Sequence, residues 1–170
     1  IDYTFADLPA SHTLKSVSIT GFAAMFADVF DIGGNFGFEK NGADVYVVAS
    51  DAFAKIVAGD FSAGVSGASL GLLIRETGKT VLEAKGTLSI AGGSFVSVTA
   101  AEVKVLYNDT NEAFTGQTIS AGGVSFIYGT LPASESLMGV SLTGLQAGFG
   151  GVFSISGNFE VEKSGSDVKI

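Results

Sequence analysis

The feature that most constrains this chain is an internal repeat. Residues 1–47 match residues 124–170 without a gap, at an offset of 123 positions. The two segments are identical at 22 of the 47 paired positions, and several differences are mild, such as Ile19 opposite Leu142. A gapless match of this length indicates a tandem repeat. The 170 residues are therefore expected to hold one complete β-repeat, residues 1–123, followed by the first part of the next copy.

The length of the period predicts the kind of repeat. Solenoid coils usually span about 20–50 residues, so a period of 123 residues is expected to hold several hairpins. Successive periods would then stack into an elongated array. An ancient duplication inside one compact, pseudo-symmetric fold is the alternative. The array is favoured because the second copy breaks off within a hairpin, just after the turn at Ser164-Gly165.

Hydrophobic residues alternate with polar ones almost throughout, which is typical of β-strands. Asn41-Gly42 offers a tight turn after one such strand, and residues 76–79 offer another. Helical spacing is weak, and at most residues 50–57 allow a turn or two of helix. The sequence predicts an all-β fold of antiparallel hairpins. In the strand after the second turn, the side chains expected to face the core are Leu82, Ala84, Gly86, Leu88 and Ile90.

Glycine is unusually abundant, with 24 residues in a chain of 170. Many of these glycines lie inside the predicted strands, where glycine marks a bulge, a bend or a close approach of another segment. We expect long, bent, glycine-rich strands with some of the 14 phenylalanine side chains lying over bare glycine backbone. The glycines recur between the copies, as at Gly21 and Gly144, so they belong to the repeat pattern.

The composition excludes several functions. The chain has 9 basic and 17 acidic residues and no basic run, so nucleic-acid binding is not expected, because phosphate neutralisation needs clustered Lys and Arg. There is no cysteine and only one histidine, His12, which leaves no basis for a catalytic triad or a common zinc site. The apolar runs are too short for a membrane-spanning helix. No enzymatic activity is predicted.

One loop has a composition that suits a metal ion. Its oxygen-bearing side chains, the candidate calcium ligands, are Asn108, Asp109, Asn111 and Glu112. Calcium prefers such ligands, but their spacing fits neither an EF-hand nor a nonapeptide calcium coil. A solvated turn is the competing interpretation, and no other cofactor is expected.

Two segments carry a resemblance to a known class of proteins. Residues 155–163 read Ile-Ser-Gly-Asn-Phe-Glu-Val-Glu-Lys, and residues 86–93 read Gly-Thr-Leu-Ser-Ile-Ala-Gly-Gly. Both are similar to repeats of giant, adhesin-like bacterial surface and secreted proteins, which stack many acidic, cysteine-free β-repeats. The resemblance implies an extracellular or cell-surface location, a structural or adhesive role and often calcium. This chain lacks the Asp-rich loops of the calcium-loaded members.

These observations favour a structural function. The expected function is that of a repeat unit in a long extracellular bacterial protein: a fibre, a spacer, or the stalk of a cell-surface matrix protein or adhesin. The alternative is a binding module whose hydrophobic β-groove takes lipid or another apolar ligand. Self-association with neighbouring repeats or identical chains is expected through open strand edges, notably at residues 168–170.

Overall fold

The computed structural model describes residues 15–26, 30–93, 96–134 and 136–170, so His12 lies outside the described residues. Eleven strands run through this part of the chain: β1 (Lys15–Phe26), β2 (Phe30–Asn41), β3 (Asp44–Ala58), β4 (Phe61–Ile74), β5 (Thr80–Gly92), β6 (Val96–Asn108), β7 (Thr118–Ala121), β8 (Val124–Ile127), β9 (Leu137–Phe149), β10 (Phe153–Ser164) and β11 (Asp167–Lys169). The predicted all-β, antiparallel class is confirmed. The described residues contain no helix that is long and apolar enough to cross a membrane.

Nine strands form one antiparallel sheet in the order β1-β2-β3-β4-β5-β6-β9-β10-β11. From β1 to β6, each strand pairs with the next along the chain, since only two to five residues separate consecutive strands. The connection from β6 to β9 instead leaves the sheet, forms the separate hairpin β7–β8, and returns to place β9 on the free edge of β6. The junction of the two sequence copies, between residues 123 and 124, falls in the turn of that hairpin.

The expectation of helical structure at residues 50–57 is wrong, because these residues lie within β3. Both neighbours pair with this stretch: Lys55, for example, lies opposite Asp31 of β2 and Gly64 of β4. Hydrogen bonding on two sides outweighs the weak helical spacing. The stretch contains a bulge instead. At this bulge Asp51 has a φ of 51°, and the registers with both neighbouring strands shift.

The hydrophobic core lies between one face of the sheet and the connection that carries β7 and β8. We call this side, which includes Val48, Leu73 and Val81, the covered face, and the opposite side, which includes Leu72 and Leu82, the open face. The buried cluster comprises Val48, Leu73, Val81, Phe114, Ile119, Ala121, Phe126, Tyr128, Leu131 and Leu137. The hairpin thus supplies one half of the core and the covered face supplies the other.

Glycine makes this close approach possible. A Cβ atom at Gly37 would collide with the backbone carbonyl of Ala121 in β7, and one at Gly71 would collide with the ring of Phe126 in β8. Elsewhere on the sheet, the ring of Phe53 lies against the backbone of Gly33. The expected contact of phenylalanine rings with bare glycine backbone is found at these positions.

The predicted alternation of side chains is confirmed, but the buried core under the hairpin lies on the face expected to point to solvent. Of the five residues expected to face the core, Gly86 is buried, whereas Leu82, Ala84, Leu88 and Ile90 lie on the open face and are only half-buried. Glu83, on the side expected to face solvent, is 1% exposed. The reason is that the long connection crosses the more polar face, where glycines admit it, and no described segment crosses the apolar one.

Candidate interaction surface

The first surface feature is that the two sequence copies build the same hairpin. β1 pairs with β2 with Ile19 opposite Phe36, and β9 pairs with β10 with Leu142 opposite Phe159. Every pair shared by the two hairpins is related by the offset of 123 residues, including the point where both registers shift. The repeat in the sequence therefore corresponds to a repeat in backbone pairing.

A recurring asparagine fixes the shape of each hairpin. Gly21 and Gly144 have φ values of 65° and 62°, in the left-handed region that favours glycine. The Asn35 Oδ1 atom accepts a hydrogen bond from the Gly21 N–H at 2.9 Å, and Asn158 Oδ1 accepts one from Gly144 N–H at 2.8 Å. Each asparagine thus satisfies a backbone donor that the bulge removes from the ladder.

The second feature is the free edge of β1. On its inner side β1 pairs with β2, and the described residues place no strand on its outer side. The equivalent strand β9 is paired on both sides, with β10 and with β6. Val17 on this edge is 61% exposed, compared with 49% for Val140, its counterpart in β9. An unpaired edge of this length presents a row of backbone donors and acceptors that another strand can use.

The third feature is the open face, which is apolar across the whole sheet. Its exposed large hydrophobic side chains include Val17, Ile19, Phe22, Phe38, Ile56, Phe61, Val105, Met138, Val140, Phe153, Ile155, Phe159, Val161 and Val168. Between β5 and β10 they line a shallow groove of about 440 Å³, whose walls include Leu82, Val105, Met138, Val140 and Val161. A contiguous apolar surface of this kind makes the open face a candidate interaction site.

The candidate calcium loop is held together mainly by its own hydrogen bonds. Asn108 is fully buried; its Nδ2 atom donates to the backbone carbonyls of Glu112 and Pro132, both at 2.8 Å. Its Oδ1 atom accepts from the N–H and the hydroxyl of Thr110. A side chain with both ends engaged in this way ties the loop together.

The remaining calcium candidates point to different partners. Asp109 accepts from the Thr80 N–H and the Tyr107 hydroxyl, and Glu112 Oε2 lies 2.7 Å from Arg75 Nη2. Asn111 anchors the loop through its N–H, which donates to the carbonyl of Ser134. The described residues contain no group of three or more acidic, histidine or cysteine side chains arranged to hold a metal. Calcium binding in this loop stays a prediction.

A hydrogen bond between the buried Glu83 side chain and Gly129, which the sequence did not indicate, joins the β6–β9 connection to the sheet. The Glu83 Oε2 atom accepts a hydrogen bond from the Gly129 N–H at 2.6 Å. The hydroxyl of nearby Tyr128 is buried and has no hydrogen-bond partner among the described residues. Burial raises the pKa of Tyr128, and the negative charge of Glu83 raises it further. The Glu83–Gly129 hydrogen bond joins the connection to the sheet, and the Tyr128 ring packs against Phe114 and Phe126.

Recurrence was the one signal that could have identified a key residue here. Asn35 and Asn158 recur beside glycine in both copies, which could have suggested a structural role for this asparagine. Glu83 has no counterpart in the partial second copy, so the repeat could not single it out. Comparison with protein-family models, curated proteins and solved structures finds no match to this chain.

Proposed function

We propose that this chain is a non-catalytic structural repeat unit of a long extracellular bacterial protein, such as a fibre, a spacer or the stalk of a surface adhesin. The observation that carries the proposal is that the second copy extends the sheet of the first. Within the second copy, β9 lies on the edge of β6, and β10 pairs with β9 in the register that β2 has with β1. A further period could be added in the same way.

The dimensions of such an array follow from the strand order. Six strand-to-strand steps separate β1 from its counterpart β9. With neighbouring strands about 4.8 Å apart, each period would advance the sheet by about 29 Å. The strands themselves would lie across the long axis of the array.

Composition supports the proposed location and role. The chain is acidic, with a net charge of −8, and contains no cysteine. Both properties agree with the resemblance to repeats of giant bacterial surface proteins. The buried and paired polar groups described above have structural tasks, which favours a scaffold over an enzyme.

The test is to measure how length depends on repeat number. Chains made of one, three and five joined copies of residues 1–123, each followed by residues 1–170, are compared by electron microscopy and small-angle X-ray scattering. The maximum dimension should grow linearly, by about 29 Å per added copy. A matched control carries Val105→Pro in every copy, because proline in a central strand removes a ladder hydrogen bond. Compact particles without linear growth would contradict the proposal.

The alternative function is the binding of lipid or another apolar ligand on the open face. The groove around Val140 favours it, because nearly all of its lining is apolar. Mass spectrometry of organic extracts from the purified protein should then find lipid in stoichiometric amounts. Val140→Glu should abolish the lipid signal, whereas Ser125→Glu on the exposed hairpin should leave it unchanged. Protein free of lipid would exclude this alternative.

A further inference from the structure

We infer that the outer edge of β1 is a docking edge for the β6 strand of another copy of this unit, in the register that β6 already uses for β9. The inference rests on the proposed repeat function, since it concerns the contact between successive units. It adds the partner strand, the paired residues and the geometry of that contact.

The first argument is that β1 already has the shape of a strand docked on β6. β1 and β9 share the same pairing with their inner neighbours, the same glycine bulge and the same asparagine hydrogen bond. A strand that holds its docked conformation before docking loses little further conformational freedom, which favours association.

The second argument is that five of the ten β9 residues that pair with β6 and have a counterpart in β1 are identical in β1. The positions paired with β6 include Val140, Ser141, Thr143, Ala147 and Phe149. Their counterparts in β1 are identical residues: Val17, Ser18, Thr20, Ala24 and Phe26. At Val17, Ser18, Thr20 and Ala24, β1 would therefore present to β6 the same residue types as β9.

The third argument is steric. A Cβ atom at Gly144 would lie 3.2 Å from the Cβ atom of Ala101 in β6, which is tighter than an ordinary contact. Its counterpart Gly21 also lacks a side chain, and the space beside it is open. At this position the edge of β1 therefore keeps the clearance that β6 requires.

The register of the contact follows by subtracting 123 from each β9 residue. Val103 of β6 pairs with Leu142, Lys104 with Ser141 and Val105 with Val140. In the contact between units, Val103 would thus face Ile19, Lys104 would face Ser18, and Val105 would face Val17.

Engineered disulfides test this register, and the absence of cysteine from the chain makes the result unambiguous. The protein used is residues 1–123 joined directly to residues 1–170. One variant carries Lys104→Cys in the first copy and Ser18→Cys in the second, and another carries Val103→Cys and Ile19→Cys. Adjacent antiparallel pairs alternate in Cα separation between about 4.5 and 5.5 Å, so two pairs sample both geometries.

Two controls calibrate the disulfide yield. Lys104→Cys with Ser141→Cys, within the 170-residue chain, reports the yield for a pair already in place. Lys104→Cys in the first copy with Ser16→Cys in the second lies on the same face but two residues out of register. This places the two Cα atoms beyond the reach of a disulfide, which is about 7 Å.

The expected result is that the in-register pairs form disulfides in yields comparable with the control inside one chain, and the out-of-register pair does not. No disulfide at Lys104 and Ser18 or at Val103 and Ile19, or equal formation out of register, would overturn the inference. The length measurements separate this outcome from failure of the proposed function. An elongated chain without these disulfides would refute only the register, and a disulfide-linked but compact chain would refute only the fibre.

Discussion

Where the β7–β8 hairpin crosses the nine-stranded sheet, the two faces have the opposite environments to those that the sequence predicts, whereas farther along β5 Leu88 and Ile90 are more buried than Thr87 and Ser89. The open face carries Val, Leu, Ile and Phe on strand after strand, but no described segment covers it. The covered face carries Glu83 and several glycines, and it holds the buried core. The difference teaches that the apolar pattern of a strand shows which residues share a face, whereas the connections decide which face is covered within the chain.

The largest expected effect comes from removing a core ring on the covered side. Phe126 packs edge-on against Tyr128 at a centroid distance of 5.4 Å and lies against Gly71. Phe126→Ala should lower the free energy of unfolding by about 3–5 kcal/mol, since it leaves a cavity in a packed core. Denaturation in urea measures this change. Phe153→Ala on the open face is the matched control, and an equal loss there would contradict the distinction between the faces.

The next effect tests whether glycine admits the hairpin. At Gly37 a methyl group would meet the Ala121 carbonyl, so Gly37→Ala should destabilise the protein by about 1–3 kcal/mol, as overpacking does. At Gly148, on the same side of the sheet but beyond the hairpin, nothing lies within 4 Å of the added carbon. Gly148→Ala should be neutral or slightly stabilising. Similar melting temperatures for the two variants would show that the hairpin does not need Gly37.

Several parts of the fold could be predicted from the sequence, and the reasons differ from one element to another. The period of two and the repeated Gly21 and Asn35 are local signals, so strands and the equivalent hairpins follow from them. The contact of Glu83 with Gly129 joins residues 46 positions apart, and no local pattern encodes it. Residues 50–57 lie between these cases, because pairing on both sides overrides a weak helical signal.

A smaller effect is expected from the orphaned hydroxyl of Tyr128. Tyr128→Phe removes a buried polar group that has no described partner, so it should stabilise the protein by about 1 kcal/mol at neutral pH. The raised pKa in the folded state adds a pH dependence. Above about pH 10 the unfolded chain releases the phenol proton more readily than the folded chain does, so stability falls as the pH rises.

The control for this prediction is the difference between the two proteins at each pH. Urea denaturation of the native chain and of Tyr128→Phe between pH 7 and pH 11 cancels the contributions of lysines and of the other tyrosines. The advantage of the Phe variant should widen above about pH 10. A constant difference across this range would mean that the Tyr128 phenol does not keep its proton through burial.

The smallest expected effect addresses the open face directly. Val140 is 49% exposed and Val48 is fully buried, and replacing each by Thr changes the shape little while adding a hydroxyl. Val48→Thr should cost about 1–3 kcal/mol, because the hydroxyl enters an apolar core. Val140→Thr should change the free energy of unfolding by less than about 0.5 kcal/mol, as surface substitutions usually do.

The measurement is made in dilute solution and again at high protein concentration. If Val140→Thr lowers the free energy of unfolding only at high protein concentration, a second copy covers the open face. The reason is that a partner that binds only the folded state stabilises it more as the partner's concentration rises. A cost equal to that of Val48→Thr at every concentration would mean that the two faces do not differ in burial, and the comparison between them would fail.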